Sequence, residues 1–171
     1  MQTPGMIGFS AFSGTGKTTL VEKVVRILKA KGLSVAVIKH DGHDFEIDRE
    51  GTDSWRYQQA GADITILSSA KKTAYIEHRA HTLWDNAAMV KGVDLILVEG
   101  YKYEKIPRIG MTRKANGKGL PEAPKTYLAI VTDDEQLEAC GVPVFHLDDA
   151  EGVAAFAAEH ALPIDEIRRK K

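Results

Sequence analysis

The sequence predicts an α/β fold, with a mainly parallel β-sheet, helices on both of its faces and some antiparallel additions. Apolar segments of strand length alternate with segments whose apolar residues recur every three or four positions, which is typical of a parallel sheet covered by helices. A glycine-rich loop follows the first predicted strand and precedes the first predicted helix. The 171 residues, 43% of them hydrophobic, are consistent with a single domain spanning 1–171.

The predicted strands are short apolar segments bounded by turn residues. They cover residues 6–11, 34–40, 63–68, 73–78, 94–99, 106–111 and 126–132. Helical patterns cover residues 18–31, 53–60, 81–90 and 149–160. Consecutive strands near 63–78, and again near 106–132, favour antiparallel pairing. We expect residues 163–171 to form a flexible basic tail.

The glycine-rich loop at residues 11–19 reads Ala-Phe-Ser-Gly-Thr-Gly-Lys-Thr-Thr. Its glycines allow backbone N–H groups to surround an anion, Lys17 reaches the β- and γ-phosphates, and the Thr18 hydroxyl is placed to bind Mg²⁺. Ala11 replaces the usual first glycine, which costs little if its φ is negative. The fold is therefore expected to be P-loop NTPase-like, with phosphates held by Ser13, Gly14, Thr15, Gly16, Lys17, Thr18 and Thr19.

Polar residues follow four of the predicted strands. These strand ends are the phosphate loop itself and the segments 39–41, 99–102 and 132–134. Ligands of parallel sheets bind outside the carboxyl ends of the strands, so the four ends are expected to converge on one site. This places Lys39, Gly100 and Asp133 among the candidate nucleotide contacts.

Two acids are candidates for binding Mg²⁺ and for orienting the attacking water. Glu99 directly follows the four apolar residues 95–98, as the acid of the second NTPase motif follows its apolar strand. Asp94, at the start of the same strand, is not a candidate. At about 3.3 Å per residue it lies roughly 16 Å from the carboxyl edge, too far to reach the metal. Asp48, with Gly51 three residues later, has the spacing of a switch-loop sensor of Mg²⁺ and γ-phosphate. Lys17, Glu99 and Asp48 are thus the candidate catalytic residues, and Thr18, Glu99 and Asp48 the candidate metal ligands.

Histidines offer a different interpretation of the same region. His40 and His43, with His78 and His81 further along, have spacings compatible with a transition metal. Carboxylate-rich loops that contain histidine are more often simply solvated, so a structural metal is the minor alternative.

Composition excludes other classes of function. The net charge of −1 argues against a general nucleic-acid surface. No apolar run approaches the length of a membrane span, and the first residues lack the pattern of a signal peptide. We therefore expect a cytoplasmic protein without nucleic-acid or membrane partners.

Three groups of residues together make the chain resemble the molybdopterin-guanine dinucleotide biosynthesis adapter proteins. The first is Phe9 to Thr19. The second is Lys39-His40 followed by His43, Asp48, Gly51, Asp53-Ser54 and Ala60-Gly61-Ala62. The third is Val98-Glu99-Gly100-Tyr101-Lys102 with Pro107 and Arg108. Residues 140–171 carry little of the resemblance, and Tyr101 replaces the expected Phe.

The resemblance implies a homodimeric P-loop protein that binds GTP with Mg²⁺ and hydrolyses it weakly. It also implies a partner, the molybdenum cofactor nucleotidyltransferase that joins GMP to molybdenum-bound molybdopterin. The adapter would supply GTP to that enzyme or assist handover to molybdoenzymes, and molybdopterin itself is a further possible ligand.

The residues alone leave the base and the reaction open. The chain has no Asn-Lys-x-Asp guanine motif, and Asp133 or Asp134 is the candidate acceptor for the N1 and N2 donors of guanine. One alternative is a small-molecule kinase using ATP, with Asp41 or Asp48 as base and with Arg108, Arg113, Lys114 and Lys118 on a closing lid. The mobile loop predicted at 112–124 is the candidate for that lid. Another is a nonenzymatic scaffold in which nucleotide only orders the loop 41–52 for a partner.

Overall fold

The computed structural model describes residues 3–137 and 141–169. The strands are β1 (Gly5–Ser10), β2 (Val35–Lys39), β3 (Ile64–Ser68), β4 (Thr73–Glu77), β5 (Leu95–Glu99), β6 (Arg108–Met111), β7 (Ala129–Thr132), β8 (Val144–His146) and β9 (Leu162–Pro163). The helices are α1 (Lys17–Ala30), α2 (Asp53–Gln59), α3 (Leu83–Met89), α4 (Ala150–His160) and α5 (Ile164–Arg169).

Among the described residues, one seven-stranded sheet carries the fold. Its order is β2-β5-β1-β6-β7-β8, and every neighbouring pair along this path is parallel. The strands β3 and β4 form a separate antiparallel hairpin. Because β1 lies near the middle and β5 beside it, the loops after these two strands share one edge of the sheet.

The short strand β9 lies antiparallel to the beginning of β1. It pairs Pro163 with Gly5 and Leu162 with Met6, whereas β6 pairs with β1 only from Gly8 onward. Two strands from distant parts of the chain therefore share one edge of β1.

Helices cover both faces of the sheet because side chains of each strand alternate between them. Ile7 and Phe9 of β1 pack on the side of α1 and α4, whereas Met6 packs on the side of α3 and α5. The strand β5 divides in the same way, with Leu97 on the first face and Val98 on the second. Burial on both faces explains why β1 and β5 read as continuous apolar runs.

This architecture confirms the predicted α/β class, the mainly parallel sheet and the antiparallel hairpin near 63–78. The antiparallel pairing predicted near 106–132 is wrong, because β6 and β7 are parallel. The connection between them, residues 112–128, crosses over without an α-helix and contains two short 3-10 turns, Lys114–Asn116 and Pro124–Thr126. The sequence therefore lacked the helical segment by which a parallel crossover is usually recognised.

The flexible tail predicted for residues 163–171 is also wrong over its described part. Residues 164–169 form α5, in which Ile164 and Ile167 are buried against the sheet. Two apolar residues three positions apart are enough to anchor this short helix. Lys170 and Lys171 lie outside the described residues.

Within residues 3–137 and 141–169, no helix has both the length and the apolar character needed to cross a bilayer.

Candidate functional site

The phosphate loop connects β1 to α1 at the carboxyl edge of the sheet. Gly14 has φ of 80° and Gly16 has φ of 95°, values that favour glycine because a Cβ would be strained there. Tyr101 is the one non-glycine residue with positive φ in the described part of the chain, so Ala11 keeps a negative φ. The replacement of the usual first glycine by Ala11 is thus tolerated for the reason expected from the sequence.

An open cavity of about 430 Å³ lies over this loop. Besides the loop, it is lined by the ends of β2 and β5, namely Lys39, His40, Asp41, Glu99, Gly100 and Lys102. Three of the four polar strand ends predicted to converge therefore meet at one cavity. The fourth, Asp133, does not line it.

Glu99 contacts both functional side chains at the start of α1. Its Oε1 accepts a hydrogen bond from Lys17 Nζ at 2.6 Å and another from the Thr18 hydroxyl at 3.2 Å. The side chains of Lys17 and Glu99 are only 18% and 7% exposed, so this ion pair is largely withdrawn from water. Glu99 is thus the acid that the fold brings to the phosphate loop.

The ends of β2 and β5 are held together beside this ion pair. His40 N–H donates to the Glu99 carbonyl at 2.8 Å, and the His40 and Tyr101 rings lie 4.9 Å apart. Gly100 has φ of 88°, and a Cβ built on it would lie 2.8 Å from the His40 carbonyl oxygen. Only glycine at position 100 allows the chain to turn here while His40 stays close.

Lys39 carries a positive charge at the same edge. Its ammonium lies 3.5 Å from an Asp41 carboxylate oxygen, and the Lys39 side chain is 53% exposed. The nearby Lys39 charge lowers the pKa of Asp41. Lys39 is therefore positioned to approach an anion in the cavity.

Asp48 lies elsewhere. It accepts hydrogen bonds from Arg49 N–H, the Thr52 hydroxyl and the Gln58 amide, at 2.9, 3.1 and 2.9 Å. Hydrogen bonding from the Ser54 hydroxyl is the largest cause of its lowered pKa. Asp48 lines a neighbouring cavity and not the one over the phosphate loop, so the structure does not bring it to Thr18 and Glu99.

That neighbouring cavity, of about 810 Å³, contains the four histidines considered as metal ligands, and shares the segment 39–41 with the cavity over the phosphate loop. Its walls come from the loop 41–48 and the end of the β3–β4 hairpin. Among the described residues, no group of three or more His, Cys, Asp or Glu side chains is arranged to hold a metal ion. The histidine metal site is therefore not supported.

The segment 113–118 contacts the phosphate loop from the β6 side. Asn116 Nδ2 lies 3.0 Å from Thr15 Oγ1 and 3.3 Å from the Ser13 carbonyl oxygen, and Lys118 Nζ lies 3.4 Å from the same carbonyl. Sequence reasoning missed Asn116, since a lone asparagine in a glycine-rich loop carries no recognisable signal.

The remaining residues of the predicted lid are divided between two places. Arg108, expected on the lid, is a buried residue of β6 whose guanidinium donates to the Lys102 carbonyl and to Glu122. Lys114 begins the 3-10 turn, and its N–H donates to Asp133 Oδ1 at 2.7 Å. Asp133 is thereby joined to the segment that touches the phosphate loop.

Comparison with known proteins gives consistent matches to one family. Residues 6–133 match the family model described as molybdopterin guanine dinucleotide synthesis protein B. A molybdopterin-guanine dinucleotide biosynthesis adapter protein of Haemophilus influenzae is 39% identical over 132 residues, covering 75% of this chain and 74% of its own length. The Escherichia coli protein of the same name is 35% identical over 161 residues, covering 90% and 91%.

Solved structures give the same result. The crystal structure of Bacillus subtilis MobB superimposes with a TM-score of 0.75 at 27% identity, covering 92% of this chain and 98% of that one. The family match includes the phosphate loop, Glu99 and Asp133, and so spans the residues from which the candidate site is built. The chain belongs to the molybdopterin guanine dinucleotide synthesis protein B family.

Proposed function

We propose that this protein binds GTP with Mg²⁺, hydrolyses it weakly, and acts as an adapter in the synthesis of molybdopterin guanine dinucleotide. The single observation that carries the proposal is the contact of Lys17 and Thr18 with Glu99 at the phosphate loop. Membership of the family supplies the pathway in which the nucleotide is used.

The triphosphate binds over the amides of Gly14 to Lys17, with Thr18 and Thr19 at the start of α1. Several N–H groups at a helix N-terminus form a suitable anion site, and the helix dipole adds to it. When the nucleotide binds, the Lys17 ammonium leaves the Glu99 carboxylate and donates to the β- and γ-phosphates instead. Lys39 and the Gly100 backbone complete the cavity on the β2–β5 side.

The oxygen atoms of Thr18 and Glu99 fit a magnesium ion. Mg²⁺ prefers oxygen ligands, and in nucleotide sites it takes only one or two from the protein, with phosphate oxygens and water supplying the others. Both oxygens lie next to Lys17, whose movement leaves the Glu99 charge available. The ion would neutralise phosphate charge there, and Glu99 also serves to orient the attacking water.

The guanine base is assigned to Asp133. A carboxylate accepts from both N1–H and N2–H of guanine, a pair of donors that adenine lacks. Asp133 Oδ1 accepts from Lys114 N–H, which fixes the carboxylate next to the segment that contacts the phosphate loop.

The partners proposed are the nucleotidyltransferase, molybdopterin, the molybdoenzymes that receive the finished cofactor, and a second copy of the chain. The β3–β4 hairpin supports an assembly role, since Ile64, Ile66, Leu67 and Tyr75 are exposed on it by 39% or more. Exposed apolar side chains clustered on one element are typical of protein contact surfaces. Light scattering tests the homodimer, and titration with the purified nucleotidyltransferase tests the heterologous contact.

Calorimetric titration with MgGTP and MgATP tests the nucleotide assignment. We expect clear preference for GTP and slow release of phosphate to water. Preference for ATP, with phosphate transferred to a hydroxyl acceptor, would overturn the proposal in favour of a small-molecule kinase.

A base-exchange experiment sharpens the test. In Asp133→Asn the side chain offers one donor and one acceptor, which matches xanthine, whose position 2 bears an oxygen in place of the amino group. We expect this variant to lose GTP affinity and to gain affinity for xanthosine triphosphate. A variant that still prefers GTP would remove Asp133 from the base site.

A further inference from the structure

We propose that the segment Arg113–Lys118 is a clasp that fixes the shape of the phosphate loop, and that Asn116 is its positioning residue. This inference rests on the proposed nucleotide-binding function and adds to it an element from a different part of the chain. The clasp acts through the loop and is not itself required to touch the phosphates.

The first step is the contact between the clasp and the loop. The Asn116 amide lies within hydrogen-bond distance of the Ser13 carbonyl and the Thr15 hydroxyl, on either side of Gly14. Lys118 reaches the Ser13 carbonyl at 3.4 Å, and an Arg113 guanidinium nitrogen lies 3.4 Å from where a Cβ on Gly16 would be. The clasp therefore spans the glycine-rich part of the loop.

The second step is what the Thr15 hydroxyl does. Thr15 is only 1% exposed, and its hydroxyl donates to the Phe12 carbonyl at 2.8 Å. Since that proton is used, Thr15 Oγ1 accepts from Asn116. The result is a relay from Asn116 through Thr15 to Phe12, which sets the turn that aims the following amides.

The third step is the support of the clasp itself. Thr112 N–H donates to the Val131 carbonyl at 3.0 Å, and Lys114 N–H donates to Asp133 at 2.7 Å. Asn116 N–H and Gly117 N–H close the 3-10 turn onto Arg113 and Lys114. The clasp is thus tied to the end of β7 at one side and to the phosphate loop at the other.

Charge favours a role with an anionic ligand. Within the described residues, Arg113, Lys114 and Lys118 have no ion-pair partner. Arg113 lies beside Gly16 and Lys118 beside Ser13, next to the N-terminus of α1, where the helix dipole is also positive. Adding a phosphate group to this region relieves the repulsion among them.

The test compares the wild-type protein with Asn116→Ala and with Asn86→Ala. Asn86 is a matched control, because its amide also donates to a side chain, the Tyr101 hydroxyl at 2.9 Å, and neither of these two residues lines the cavity over the phosphate loop. Each protein is titrated with MgGTP and with inorganic triphosphate plus Mg²⁺. We expect Asn116→Ala to weaken both ligands by the same factor, about tenfold, as loss of two hydrogen bonds predicts, and Asn86→Ala to leave both unchanged.

A second variant tests the relay. Thr15→Val removes the hydroxyl of the relay but leaves the contact of Asn116 with the Ser13 carbonyl, so Asn116→Ala should weaken GTP binding less in Thr15→Val than in the wild-type protein. Losses that multiply would overturn the relay. The isosteric Asn116→Asp, which cannot donate to the Ser13 carbonyl, should weaken both ligands more than Asn116→Ala and covers the case in which alanine prevents folding.

The outcomes separate this proposal from the proposed function. Wild-type protein that fails to bind MgGTP would overturn nucleotide binding itself. If the wild-type protein binds MgGTP, two results for Asn116→Ala would overturn the clasp alone. The variant could bind both ligands as well as the wild-type protein does, or it could lose affinity for GTP but keep its affinity for inorganic triphosphate.

Discussion

Glu99 and Asp48 are the two acids predicted to bind the metal, yet Glu99 ends the buried strand β5 whereas Asp48 lies in the loop before α2. Glu99 is held by Lys17 and Thr18, which are more than 80 residues away in the sequence. Asp48 is held by partners within ten residues, in the turn before α2 and in α2 itself. The difference shows that the chain's fold creates the surroundings of Glu99, whereas a local turn creates those of Asp48.

The comparison predicts its largest effect at Lys17. In Lys17→Ala we expect GTP affinity to fall at least a hundredfold, roughly 3 kcal/mol, because the only ammonium inside the loop is lost. Stability should also fall, since Glu99 keeps its burial but loses its ionic partner. Calorimetry and thermal unfolding measure the two effects.

Two controls accompany this variant. Lys31→Ala removes a lysine from the exposed end of α1, where it pairs with Glu151, and should change neither property. Adding Glu99→Gln to Lys17→Ala should restore stability without restoring binding. Wild-type affinity in Lys17→Ala would remove the phosphate-loop assignment.

The next effect concerns Gly100, which turns the chain directly after Glu99. Gly100→Ala should lower the free energy of unfolding by about 2 kcal/mol or more, from positive φ combined with the clash against the His40 carbonyl. Gly92→Ala is the matched control, since Gly92 has φ of 68° and no neighbour within 4 Å of the Cβ position. Equal losses in the two variants would show that contact with His40 is unimportant.

A smaller effect compares the two acids by the same substitution. We expect Glu99→Gln to slow GTP hydrolysis about tenfold and weaken its dependence on Mg²⁺, because a neutral amide is a poorer partner for the ion. Asp48→Asn should change hydrolysis by less than about threefold. A larger loss in Asp48→Asn would mean that the loop 41–52 closes over the nucleotide and brings Asp48 to it.

The smallest expected effect is a change in the pKa of Asp48. The pKa of Asp48 is lowered from its usual value, and hydrogen bonding from Ser54 is the main cause. A lowered folded-state pKa means that the stabilisation is complete above about pH 4 and is lost as the pH falls through the folded value. Ser54→Ala should raise the pKa of Asp48, as measured by carboxyl NMR, and a pKa unchanged in this variant would contradict the assignment.

The parts of the structure that were predictable depend on neighbours in sequence. The phosphate loop and α1 follow from glycine spacing and helical periodicity, and β5 from an apolar run long enough to be buried on both faces. Glu99 was found because it ends that run. The contact with Lys17, by contrast, requires β1 and β5 to be adjacent, an order that apolar runs do not reveal.

The parts that were missed are short or depend on distant contacts. The strand β8 has three residues and β9 has two, one of them Pro163, so neither shows an alternating pattern. The parallel pairing of β6 with β7 was missed because the crossover lacks a helix. Asn116 was missed because its partners lie about 100 residues earlier, in the phosphate loop.

The sharing of one edge of β1 between β6 and β9 has a consequence for synthesis of the chain. The strand that leads into the phosphate loop is synthesised more than 150 residues before Leu162 and Pro163, which cover the beginning of its edge. Until they emerge, part of β1 presents unpaired N–H and C=O groups to other chains. The nascent protein therefore carries an open edge at the beginning of β1, the end of the strand away from the phosphate loop, until these two residues emerge.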